Sequence, residues 1–449
     1  MAGAGHPHKW LVLTAVSTGL ILGILDASVV NIAIPTLMTG LSATVAQISW
    51  VLNAYNVAQA VLFLTLGRLA ERFGQRVVFI GSLIVFTVFS LACGLSPNVE
   101  WLIVFRIGQA VGAAGIVPIS LIILLSAFPP REHGLATGLW GSLGTLAAII
   151  GPPIGGVLIQ YASWRWIFFM NVPIGIAAVG IAVFVVPEFR RDAGGAGIDL
   201  PGIVLSGAAI GCLILAIIQG DSWGWGSASV IGLLVAAVAL NGLFLWWERR
   251  APRPMLALGL FRITPFSVST AMMIIGGIGI GGGMLLLILF MVNVLGYSAL
   301  WAAIGTVPMA AVAMVLSPFS GRLVDRIGPR QLAALGAILF ALAFILLAQL
   351  DEGSSLWDIS WREAILGFGM SFTMPALTAA GLTPLPETSK GVGSGVNSTA
   401  RAFGNSLGIA VLLAVFQAVG RYSWPFIVAA IICLLSLPLS FFLGRRIRT

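Results

Sequence analysis

The stretch Gly67–Arg76 reads GRLAERFGQR, and Gly321–Arg330 reads GRLVDRIGPR. Gly, Arg, Leu, Arg, Gly and Arg recur in register, and Glu71 is answered by Asp325. A short basic loop gains arginines by chance, but not a shared register, so the two stretches mark an internal repeat. The correspondence continues downstream. The offset is 254 from Gly67 to Gly321, and at 257 Gly112 and Pro118 match Gly369 and Pro375, while Gly134 and Gly138 match Gly391 and Gly395. The chain therefore contains two homologous blocks.

Around the repeats the sequence is apolar. Of 449 residues, 59% are hydrophobic and 8% charged, whereas a soluble protein carries about a quarter charged residues. No water-soluble surface can be built from that, and a bilayer crossing needs only about 20 mainly apolar residues. Apolar runs bounded by charge, proline or glycine predict spans near 11–33, 49–66, 77–95, 101–126, 135–159 and 165–186. A pair follows near 200–219 and 228–247. Six more fall near 266–292, 299–319, 331–350, 361–382, 392–418 and 424–443, giving fourteen. The two blocks of six are the repeat, and the pair is an insert expected to lie outside their core. The domain boundaries read 1–190, 191–262 and 263–449.

The net charge of +8 is not a nucleic-acid footprint, because the basic residues cluster between spans instead of forming one face. On one set of alternate loops lie Lys9, Arg68, Arg72, Arg76, Arg131, Arg190, Arg191, Arg249, Arg250, Arg253 and Arg262. Arg322, Arg326, Arg330, Lys390, Arg445, Arg446 and Arg448 continue that set. These are 18 of 23 basic residues, a bias that places this side, with both termini, in the cytoplasm. The first span shows no small-residue cleavage site and is expected to be retained. Cys93, Cys212 and Cys433 sit far apart in apolar runs, without metal-ligand or disulfide spacing.

Four motifs, in order at the right spans, are LDASVVNIAIP (Leu25–Pro35), the GRLAERFGQR loop, Arg106 within LIVFRIGQAVGAA, and GPPIGG (Gly151–Gly156) followed by WRWIFFMNVPIG (Trp164–Gly175). With them the chain resembles the fourteen-span drug:proton antiporters of the major facilitator superfamily over nearly its whole length. The resemblance implies an all-α membrane fold of two pseudo-symmetric six-helix bundles, related by an axis along the membrane normal, plus the inserted pair. It also implies proton coupling through Arg106 and an antiporter motif at Gly151, Pro152, Gly155 and Gly156. Glu71 among the arginines of the loop reads as a cytoplasmic gate at Gly67, Arg68, Glu71, Arg72, Gly74 and Arg76 that latches the two halves, with a positive-inside anchor as the other reading. Glu71 stands where the family usually has aspartate. The link Gln417–Trp424 is shorter than in relatives.

Asp26 is the one acidic residue deep inside a predicted span, where a carboxylate costs at least about 2.5 kcal/mol. Gly19 and Gly23 share its helical face and leave room beside it. A lone carboxylate there exchanges a proton for an organic cation, which is antiport; a structural aspartate bonded to a neighbouring helix is the other reading. Arg106 carries the same pair of readings, coupling or helix pairing. Asn31, Asn53, Asn56, Gln59 and Gln109 place amides for cavity lining or interhelical bonds. Glu363, the repeat counterpart of Arg106, reads as a wetted rim residue, and Arg401 as either paired inside or snorkelling. Six glycines between Gly276 and Gly283 suggest close packing or a bend, and Trp223 and Trp225 read as interface anchors.

The function expected from this pattern is proton-driven efflux of amphiphilic, cationic compounds through a cavity between the halves. A monomer in the inner membrane is expected, with no cofactor, metal or nucleic acid and with the proton gradient as energy source. A dedicated exporter of one metabolite, lipid or antibiotic would use the same motifs, and a non-transporting receptor or scaffold would keep the fold. No Walker-type phosphate loop is present to support a nucleotide-driven pump, and no nucleophile triad supports an enzyme.

Overall fold

The structure, a computed structural model, describes residues 6–188, 199–251, 256 and 258–444. Arg190, Arg191, Arg253, Arg445, Arg446 and Arg448 lie outside the described residues, as do the side chains of Asn31 and Pro152. The described residues form helices and loops with no strand. This is the outcome for a chain in lipid, where each backbone polar group must be satisfied within its own segment.

Among the described residues, fourteen long helices are apolar enough to cross a bilayer. The first six are α1 (Lys9–Ile32), α2 (Val45–Phe73), α3 (Gln75–Gly94), α4 (Val99–Ala127), α5 (His133–Tyr161) and α6, which runs Trp166–Phe169 and then Asn171–Val185. The inserted pair is α7 (Leu200–Trp223) and α8 (Ala228–Glu248). The last six are α9 (Thr264–Asn293), α10 (Ala299–Ile327), α11 (Pro329–Leu347), α12 (Leu356–Leu382), α13 (Lys390–Val419) and α14 (Ser423–Leu434, then Ser436–Ser440). Fourteen crossings return the chain to the face it started from, here called the chain-end face.

Local chemistry sets the helix ends. Thr44 opens α2 with a capping box to Gln47, Ser355 opens α12 with one to Asp358, and Asn98 accepts the Trp101 N–H to start α4. Each satisfies N–H groups that the helix leaves orphaned. In the repeated loops Gly74 has φ +99° and Gly328 φ +92°. Only glycine adopts such backbone without strain, so α2 turns directly into α3 and α10 into α11.

The packing is symmetric. In the first six helices α1 lies against α4, α5 and α6, α2 against α4, and α3 against α4 and α6; the last six repeat each pairing, with α9 on α12, α13 and α14, α10 on α12, and α11 on α12 and α14. Across the interface α2 meets α13 and α5 meets α10, again the same contact used twice. At these crossings Gly67 leaves no room for a Cβ against Gly391 O, and Gly321 none against Gly134 O. The missing side chains are what let the backbones touch.

The glycine run of α9 serves close packing. The helix continues unbroken through it, and a Cβ on Gly281 or Gly282 would strike the backbone of Asn405 or Gly408 on α13. The inserted pair rests on α2 and α13.

Candidate functional site: a buried charge cluster and a two-part cavity

Asp26 and Arg106 are brought together. Arg106 Nη1 donates to Asp26 Oδ2 at 2.6 Å and to Gln109 Oε1 at 2.7 Å. Gln109 Nε2 and Asn171 Nδ2 donate to Asp26 Oδ1 at 3.0 and 2.7 Å. Asn171 also reaches Ser90 Oγ at 3.0 Å, and the Arg106 guanidinium lies 3.9 Å from the centroid of the Tyr55 ring. Asp26 is 0% and Arg106 1% exposed. A buried pair survives desolvation only with such additional hydrogen bonds. Five helices, α1 to α4 and α6, contribute to the cluster. Tyr55, Ser90 and Asn171 were not foreseen as its members; Asn171 lies within the WRWIFFMNVPIG motif, which was the available signal.

The expected place of Asp26 in the substrate cavity is not what the structure shows. Leu20 and Ile24 are the α1 residues that line the inner cavity. At 100° per residue Asp26 points about 160° away from Ile24 and about 120° away from Leu20, towards α4 and α6. On its own face a Cβ on Gly19 would contact Phe79 and Leu83 at 3.0 and 3.2 Å, whereas Gly23 has open space beside it, as expected. Gln109 is likewise fully buried with Asp26 rather than cavity-facing.

Two adjoining cavities open elsewhere. The inner one, about 300 Å³, lies between the two six-helix sets, with Trp140 of α5, Met309 of α10 and Asn397 of α13 in its wall. The outer one, about 700 Å³, runs towards the face opposite the chain ends and is lined by Asn53, Asn56 and Gln59 of α2 and by Asn405 and Gln417 of α13. Arg401, Ser398, Met370 and Met374 belong to both. The inserted pair was expected outside the core, but Ile214 and Ile217 of α7, with Trp225, form part of the outer wall. Trp225 is thus a cavity residue, not only an interface anchor.

On the chain-end face the cavity is closed by two matching carboxylate contacts. Glu71 Oε1 accepts the Val392 N–H at 2.7 Å, at the start of α13, while Arg68 Nη1 holds its other oxygen at 2.9 Å. Asp325 accepts the Gly134 and Leu135 N–H groups at 2.7 and 2.9 Å, at the start of α5. A carboxylate on a helix N-terminus is favourable through both its hydrogen bonds and the helix dipole. Of the remaining residues in this loop, Arg72 stacks its guanidinium on Phe73, and Arg76 donates to Val183 O.

In the GPPIGG stretch, a Cβ on Gly151 would collide with Ser28 and one on Gly155 with Val29, whereas Gly156 faces open space. The motif therefore sets α5 closely against α1, two and three residues beyond Asp26. Glu363 departs from expectation: it is 0% exposed, and neither carboxylate oxygen has a hydrogen-bond partner. It is buried among α12 and its neighbours, not wetted at a rim. Arg401 is the reverse case, exposed to the cavity with no ion pair among the described residues.

Two six-helix sets with a cavity between them, closed at one face, define a membrane transporter. The Major Facilitator Superfamily model matches residues 16–409, and the chain belongs to that family. It is 33% identical over 408 residues to the tetracenomycin C resistance and export protein of Streptomyces glaucescens, covering 91% of this chain and 76% of that one. Over 409 residues it is 32% identical to the multidrug resistance protein Stp of Mycobacterium tuberculosis, with the same coverage. The fold is shared with human MFSD10 at TM-score 0.69 and 16% identity, covering 97% of this chain and 100% of that chain. The protein is a multi-pass transporter, not an enzyme.

Proposed function

We propose that this protein exports amphiphilic small molecules in exchange for protons, by alternating access, with the chain-end face in the cytoplasm. The observation that carries the proposal is the cavity sealed at the chain-end face by the Glu71 and Asp325 bonds and extending to the opposite face. Such an arrangement is an outward-open state, and breaking the paired bonds while closing α2 and α7 over α13 produces the inward-open one. Drug export is supported by the two relatives named for resistance.

Coupling to protons is assigned to Asp26. Its two oxygens tie α1 to α4 and α6, and a proton on the carboxyl removes the charge that holds Arg106. Because α1 carries Leu20 and Ile24 into the cavity wall on its other side, release of Asp26 lets that wall move. The expectation of a cationic substrate depended on Asp26 facing the cavity, and its burial removes that support. A dedicated exporter is the second reading, favoured by the tetracenomycin relative.

Purified protein in liposomes, given an imposed pH gradient and a panel of fluorescent amphiphiles, tests the proposal. Uphill movement that collapses with a protonophore is expected, and Asp26→Asn should abolish it. Equal uphill movement by Asp26→Asn would remove Asp26 from coupling; gradient-independent movement would remove antiport. Breadth across the panel separates multidrug from dedicated export.

A further inference from the structure

The charge that the cavity offers its ligand is positive. Arg401 stands where the inner and outer cavities adjoin, about halfway along α13, and is accessible from them. Among the described residues, none that lines either cavity is an aspartate or glutamate. The carboxylate of the other half, Asp26, is consumed by Arg106 and has no exposure. A guanidinium at this depth is costly unless hydrated or paired. It carries five N–H donors and no acceptor, in a planar fork that fits a carboxylate or sulfonate with two parallel bonds.

The surroundings extend the donor set. One turn before Arg401, Asn397 is 4% exposed and lines the inner cavity; its carbonyl accepts from Thr270 Oγ1 at 3.0 Å, but its Nδ2 has no hydrogen-bond partner. One turn after it, Asn405 lines the outer cavity, facing Asn53 and Asn56 on α2. Met370 and Met374 of α12 flank the arginine, and Trp225 closes the outer wall, so an apolar ring system has polarizable surface beside the charge.

We infer that the cavity binds amphiphilic anions, organic molecules carrying a carboxylate, sulfonate or phenolate beside an apolar ring system, with Arg401 as the residue that selects the charge. This rests on the export reading, since it names the substrate class of the same cavity. Asn397 and Asn405 position the anion along α13, and the thioether and aromatic walls take the apolar body.

The test uses three probes with one ring system: 1-pyrenebutyrate, neutral 1-pyrenebutanol, and the cationic trimethylammonium analogue. Binding to the full chain in nanodiscs is read by tryptophan-to-pyrene energy transfer, Trp225 and Trp140 being in the cavity walls. Wild type should bind the butyrate at least about tenfold more tightly than the cation, the size of one charge-assisted contact. Arg401→Gln should cut the butyrate-to-butanol affinity ratio by about tenfold, and Arg401→Lys should keep most of it. The wild-type comparison needs no variant, so misfolding of a mutant leaves the inference testable. Equal or tighter binding of the cation, or an unchanged ratio in Arg401→Gln, overturns it. Uphill transport of butanol without anion preference refutes this inference alone, whereas anion-selective binding without gradient-driven transport of any probe supports it and refutes the export reading.

Discussion

Removing the Asp325 carboxylate should open the chain-end face. Asp325 accepts two backbone N–H bonds from the start of α5, at 2.7 and 2.9 Å, and bonds to a charged group contribute about 1.5–3 kcal/mol each. The side chain is only partly buried. Solvent screening, together with the desolvation relieved when the carboxylate is lost, reduces the net effect to about 1.5 kcal/mol. That corresponds to roughly a tenfold shift of the outward-to-inward population. Glu71→Ala should act in the same direction, because Glu71 makes the matching bond to Val392 at the other crossing. The assay is double electron–electron resonance between spin labels at the exposed positions Arg131 and Arg326, on opposite sides of the α5–α10 crossing, in protein lacking Cys93, Cys212 and Cys433. Wild type should show one dominant short distance, and Asp325→Ala a second, longer one. An unchanged distance distribution in both variants would refute the latch and leave the loops as positive-side anchors only.

Asp26→Asn should lower the melting temperature in detergent, since it leaves Arg106 buried without a counter-charge, a loss of about 3–5 kcal/mol. Adding Arg106→Gln should restore most of that stability without restoring gradient-driven transport; a double variant no more stable than the single one would show that the pair is not the cause. Glu363→Leu should raise the melting temperature, because two unpartnered buried oxygens are removed, a gain of about 1–3 kcal/mol. A lower melting temperature in that variant would mean that Glu363 has a partner in the membrane.

The membrane class, the fourteen spans and the two homologous blocks were legible in the sequence. Hydropathy over 20 residues is a local property, and a shared register such as GRLAERFGQR and GRLVDRIGPR survives without knowledge of any contact. The paired roles of Glu71 and Asp325 were half legible, since the repeat matched the carboxylates but not the helix starts they bind. What the tertiary structure decided was which way single polar residues face. Asp26 and Ile24 are two residues apart, yet the α-helical turn sends one into a buried cluster and the other into the cavity wall. The partners of Asp26 come from α4 and α6, dozens of residues away, so no spacing rule could name Asn171. Position along its own helix puts Glu363 near a rim, whereas its burial comes from the helices packed around it. Arg401 could be paired or free by sequence, and only the helix arrangement, which among the described residues places no carboxylate in the walls of either cavity, leaves it open as the cavity's charge.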